Sequence, residues 1–295
     1  MFSKANLSHS FSFGMIVASI CIAAPSTPAW AQAGASPAVA AASPINQGLS
    51  YADLADLALT AQIVAGVSVT RAERLKGELA PGLTLGKARF LIEAQTEMLL
   101  RGAEGLSGSI TYIVDLPLDA KGRAPKLKKA RFILFASRVA GRPQEVRLTS
   151  PYSQLDWTQS TESILRAILT EASSADSPPQ ITGIGNAFHV AGEIPGEGES
   201  QIFLTTADGR PISLSVLRRP GEQPQWAVAL GEMVDDSARA PARNTLLWYR
   251  LACFLPQRLP DRSVAALAPL DSDAVRADYR LVLDQLGGCG RTIAR

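Results

Sequence analysis

One short stretch of the sequence holds residues able to move protons. His189 stands four positions before Glu193, and Glu197 and Glu199 follow within the same Gly-rich run, 183–200. An imidazole beside a carboxylate is a common general-base pair, so these four are the candidate catalytic residues of an envelope hydrolase. The competing interpretation is a strand that turns Phe188 inward and His189 outward, then a solvated acidic hairpin loop. A lone histidine without a fixed partner favours that second interpretation. Other carboxylates pair in sequence: Asp235 with Asp236, and Asp156 or Glu162 near Trp157. A glycosidase needs two facing carboxylates at a set separation, which sequence spacing does not fix.

Several chemistries lack their residues. The chain has two histidines, and only His189 lies beyond the N-terminal segment, so no multi-histidine zinc site and no other metal centre is expected. Gly105-Leu106-Ser107-Gly108 brings its second glycine too early for a nucleophile elbow. Gly183-Ile184-Gly185 lacks the third glycine of a dinucleotide fingerprint, and there is no P-loop. No cofactor is expected.

A second cluster is basic: Lys121, Arg123, Lys126, Lys128, Lys129 and Arg131. It reads as a hairpin that could meet phosphates of an anionic envelope component. Its alternative is a solvated turn whose lysines discourage edge-to-edge pairing. Lys+Arg 29 against Asp+Glu 27 leaves a net charge of +2, so no global field recruits nucleic acid. Hydrophobic residues make up 46% and charged residues 19%, which fits a folded chain and excludes disorder throughout. Trp157, Trp226 and the pair Trp248-Tyr249 are expected to pack in the core.

The N-terminus reads as an export signal. Lys4 precedes an apolar run from Phe11 to Ala24, then Pro25, Pro28 and Ala29-Trp30-Ala31-Gln32-Ala33. Small residues at alternate positions suit cleavage after Ala31 or Ala33, which makes 1–33 a signal peptide and the periplasm the destination. Cys21 then leaves with the signal, because Ile20 stands where a lipobox needs a small residue. Cys253 and Cys289 remain, and in an oxidising compartment the expectation is one disulfide. No transmembrane span is expected after cleavage. Residues 34–48 read as a flexible Ala/Gly/Ser/Pro tether.

Folded sequence begins near Ser50, whose hydroxyl and Asp53 form a capping-box pattern ahead of Leu54, Leu57 and Ala58. Alternation predicts strands at 62–70, 88–100 and 109–118. Residues 127–138 are a nearly continuous apolar strand, and 145–148 is another. A helix follows from Ser160. The second half repeats strands at 200–206, 212–217 and 226–230. It then gives an apolar helix at 244–255 and a last helix from Asp271 to Leu286. Similar turns recur in both halves, Gly122-Arg123-Ala124-Pro125 matching Gly209-Arg210-Pro211 and Gly141-Arg142-Pro143-Gln144 matching Gly221-Glu222-Gln223-Pro224-Gln225, which leaves open a duplicated unit.

Residues 181–255 hold Gln201-Ile202-Phe203-Leu204-Thr205-Thr206-Ala207-Asp208-Gly209-Arg210-Pro211 and Leu246-Leu247-Trp248-Tyr249-Arg250-Leu251-Ala252. This stretch resembles uncharacterised exported proteins of alphaproteobacteria. The resemblance implies a bacterial envelope location and assigns no activity and no residue role.

The expected architecture is therefore α+β. An antiparallel sheet, open to arrangement as two three-stranded meanders, carries helices on one side and a C-terminal helical pair. Residues 49–295 form the globular region, with 49–175 and 180–295 as candidate similar halves. The expected function is a non-catalytic binding or structural component of the cell envelope, its partner an anionic envelope component or another periplasmic protein.

Overall fold

A computed structural model describes residues 48–231 and 238–293. Residues 1–47, which hold the expected signal peptide with Cys21 and nearly all of the expected tether, and the pair Asp235-Asp236 lie outside the described residues.

Helix α1 (Tyr51–Thr60) opens the described chain. Ser50 caps it as the spacing predicts: its hydroxyl accepts from the Asp53 N–H, and Asp53 accepts from the Ser50 N–H. Six strands follow: β1 (Ile63–Leu75), β2 (Lys87–Arg101), β3 (Ser109–Pro117), β4 (Arg131–Val139), β5 (Arg142–Leu148) and β6 (Gln154–Asp156). After α2 (Gln159–Ser173) come β7 (Ile181–Ala191), β8 (Gly198–Thr206), β9 (Ile212–Arg218) and β10 (Gln225–Ala229). Helices α3 (Leu246–Ala252) and α4 (Pro269–Leu286) finish the chain.

The first sheet is not the open antiparallel sheet that alternation predicts. Its order is β1-β2-β3-β5-β4, and β4 pairs back on β1, so five strands close into a barrel. The pairing of β3 with β5 is parallel, at Thr111 and Glu145. Closure abolishes two sheet edges and needs a strongly coiled first strand. β1 supplies it with irregularities after Val64, Gly66 and Val69. Gly66 also lets Met98 cross close by, since an added Cβ there would sit 2.7 Å from Met98 Cγ. Only the second sheet is an open meander, in order β10-β9-β8-β7. The two halves thus differ in topology, and paired meanders with helices on one side do not describe the protein.

Two cores result. Alternate residues fill the barrel: Ile63, Ala65 and Val67 from β1; Phe90 and Ile92 from β2; Tyr112 from β3; Leu134 from β4. The second core lies between the helices, the inner face of β7–β10 and the outer wall of the barrel. β4 serves both, sending Phe132 and Leu134 into the barrel and Ile133 and Phe135 out into the helical core. Burial on both faces is why its sequence is almost continuously apolar.

Cys253, the C-cap of α3, is disulfide-bonded to Cys289, just beyond α4, as the sequence implies. Among the described residues no helix is long and apolar enough to cross a membrane.

Candidate functional site

The histidine segment is a strand, but its parity is the reverse of the expected one. Phe188 is 51% exposed and packs edge-on against Phe203, while His189 turns toward the sheet's inner face. Two irregularities in β7, after Ile181 and Ile184, shift the alternation. His189 lies opposite Ser200 in the ladder, and its Nδ1 is 3.0 Å from Ser200 Oγ. Ser200 Oγ in turn donates to Asp278 Oδ2 at 2.5 Å, and Arg218 Nε donates to Asp278 Oδ1 at 2.5 Å. Ser200 and Asp278 are both completely buried.

The hydroxyl has one proton and gives it to Asp278, so it accepts from His189. The imidazole therefore carries a proton on Nδ1, and Nε2 lies on the other side of the ring. A Cβ at Gly198 would fall 3.1 Å from that Nε2, so the ring lies directly over the glycine. This line of groups ties β7, β8 and β9 to α4. It is not a nucleophilic triad, because the serine is inaccessible and its proton points away from the histidine. Glu193 and Glu199 are exposed and Glu197 half-buried, and none of the three bonds to His189. Sequence reasoning missed Ser200, Asp278 and Arg218. Centring the β7–β8 hairpin on Ile194 and Pro195 would have placed Ser200 opposite His189; nothing local pointed to Asp278.

The basic cluster is not a hairpin. β3 and β4 are not neighbours in the barrel, so residues 118–130 cross its end as a long connection. Leu118 N–H donates to Gly86 O, Lys129 N–H to Val69 O, and Val69 N–H to Ala130 O, which lash this loop to the barrel rim. Leu127 plugs the interior. Lys129 holds a left-handed backbone, φ 66°, at the turn into β4. Arg123 pairs with Asp119 at 2.8 Å. Backbone N–H groups of Arg123 and Lys121, with the Arg123 guanidinium, hold the Asp119 carboxyl below the usual range. Arg131 pairs with Glu97 at 2.7 Å and lies 3.8 Å over the Trp157 ring. Lys121, Lys126, Lys128 and Lys129 are exposed and make no ion pair among the described residues. Lys128 shares a depression of 340 Å³ with Arg71, over Phe90 and Leu127.

The barrel's strand order is that of the five-stranded Greek-key barrel of OB type, in which the outer face of β2 and β3 is the usual platform for oligonucleotides or oligosaccharides. Here that face offers no stacking aromatic. Arg89 on this face pairs with Asp115 at 2.7 Å, and Glu93 pairs with Arg71 of β1 at 3.3 Å.

The tryptophans are structural. Trp157 Nε1 donates to Glu162, Trp226 Nε1 to Gln285, and Trp248 Nε1 to the Leu286 carbonyl. The Trp157 bond, with Arg166, keeps the Glu162 carboxyl below its usual range. No three His, Cys, Asp or Glu side chains gather as a metal site among the described residues. No protein-family model matches the chain, and no curated protein matches it.

Proposed function

We propose that the protein is an exported, non-catalytic component of the bacterial envelope that contacts an anionic surface through its β3–β4 loop. The observation that carries this reading is the placement of Lys121, Lys126, Lys128 and Lys129. All four project from one end of the barrel with no carboxylate partner among the described residues, on a loop whose backbone is lashed to the rim. A lysine near an anionic membrane contributes about 1 kcal/mol at low salt, so four reach an effective range together and none does alone. The disulfide and the N-terminal signal pattern support an oxidising, extracytoplasmic setting.

The test is co-sedimentation with vesicles of phosphatidylglycerol and phosphatidylcholine. Wild-type protein is expected to bind at low ionic strength and to dissociate as salt rises toward physiological strength. Changing all four lysines to Glu should abolish sedimentation. Equal binding by that variant removes the loop as the contact surface.

A further inference from the structure

The edge of a sheet exposes unpaired N–H and C=O groups, and folded proteins close, shorten or cover such edges. Here that is done at every sheet end but one. Barrel closure gives each of β1 to β5 a neighbour on both sides. β6, outside β4, has only 3 residues. β10 has 5, and its Val228 N–H donates to Arg239 O, so the chain that follows covers that edge.

β7 is the exception. It ends the second sheet, runs for 11 residues and contains no Lys, Arg, Asp, Glu or Pro. Among the described residues only β8 pairs with it, and no other backbone group bonds to the strand. The turn Asp261–Val264 packs beside it, with Val264 in the core under the sheet, and leaves the backbone edge unbonded. The irregularities in β7 fall before Ala187, so Ala187–Ala191 keep a regular register. That same stretch carries exposed apolar side chains on its outer face, Phe188 and, at 70% exposure, Val190. An uncharged, apolar and unpaired strand of this length is a pairing surface.

The occupant that fits is a second copy. An antiparallel strand pair has a two-fold axis, so a strand can satisfy the outward groups of an identical one. A charged side chain near that axis would meet its own kind and oppose pairing, and β7 carries none. We infer that β7 pairs antiparallel with β7 of a second copy through Ala187–Ala191, joining the two four-stranded sheets into one. His189, the middle of the regular stretch, lies at the axis. Phe188 of each copy then stands opposite the partner's Val190 on the outer face, with Cβ atoms about 5 Å apart. A pairing this short buries less than about 1,200 Å² in total, the size of a weak and reversible interface. The strand shares no residue with the lysine loop, so this inference stands apart from the proposed function.

The experiment is sedimentation velocity over about 10–500 μM protein, a range suited to an interface of this size. Wild type is expected to pass from monomer to dimer as concentration rises, equally in low and in high salt, because no charge takes part. Phe188→Lys sets an ammonium against the partner's Val190 and should weaken association tenfold or more. Ile113→Lys, at an exposed apolar site on the barrel, should leave association unchanged, as should the four-lysine loop variant. Circular dichroism of these variants should match wild type. The register is read by mixing Phe188→Cys and Val190→Cys proteins under oxidation. The mixed disulfide should form faster than either self-link, because only the mixed pair stands directly opposite. The inference is overturned if the protein stays monomeric throughout, if the dimer dissociates in salt, or if Phe188→Lys associates as wild type does. It is also overturned if Ile113→Lys or the loop variant loses the dimer. Faster self-linking by either cysteine variant would overturn the register.

Discussion

At the residue scale the buried line from His189 to Asp278 carries the clearest energetic consequence. A buried carboxylate is tolerated only with its partners in place. Asp278 has two, Ser200 and Arg218. Ser200→Ala removes one of them and leaves the His189 Nδ1 proton without its acceptor. The expected cost is about 1–3 kcal/mol, read as a lower urea midpoint with unchanged slope. His189→Ala should cost less, because the ring is half-exposed and Ser200 keeps its bond to Asp278. A larger loss from His189→Ala than from Ser200→Ala would show that the line has been read in the wrong direction. The histidine was visible in the sequence, yet its role was not. Its partners come from β8, β9 and α4; the hairpin register places Ser200 opposite it, but nothing local points to Arg218 or Asp278.

At the scale of elements, most strands and helices were legible because their apolar periods are long. Ala88 to Ala94 alternate in sequence and in burial alike, whereas Ile63 to Val67 are buried on both faces. Barrel closure was not legible, because the same alternation suits an open sheet with one wet face. Closure rests on β1 meeting β4 and β3 meeting β5, both long-range and neither joined by a hairpin. For the same reason the lysine segment looked like a hairpin: a turn-rich stretch between two strands reads as one unless the strands are known not to pair. The α3–α4 link was readable by cysteine count alone. Replacing both Cys253 and Cys289 by Ser opens a loop with a sequence separation of 36. In the chain-entropy model that lowers stability by about 3–4 kcal/mol. Thermal unfolding of wild type with and without reductant should reproduce the variant's shift. An unchanged midpoint in both would mean that packing of Val275, Tyr279 and Val282 holds α4 without the link.

At the scale of the whole molecule, the first helix is tied to the last described residues. Asp53 is buried and accepts from Thr292 Oγ1 at 2.7 Å, from the Thr292 N–H at 3.0 Å and from the Ile293 N–H at 3.1 Å, besides its capping bonds. Asp56, one turn on, accepts from Arg291 Nε at 2.5 Å and from Tyr249 Oη at 2.5 Å. The chain is thus closed on itself across a sequence separation of 239. Burial works against the Asp53 charge, but the hydrogen bonds from Ser50, Thr292 and Ile293 outweigh it and hold the carboxyl below its usual value. A carboxyl depressed in the folded state stabilises the fold fully above its unfolded value, about 3.9, and that contribution fades as pH falls through the lower folded value. Wild type should therefore lose stability steeply on acidification below about pH 4, with the C-terminal residues released first. Asp53→Asn keeps the shape but turns N–H toward N–H, and should cost about 1–3 kcal/mol at neutral pH. The gap between variant and wild type should narrow as pH falls below about 4, since the wild-type carboxyl then also takes up a proton. Urea unfolding across pH 2–7 reads both curves. Parallel curves, with a constant gap at all pH values, would mean that the tail is held by packing of Ile293 and by the Arg291–Asp56 pair, and not by the charge on Asp53.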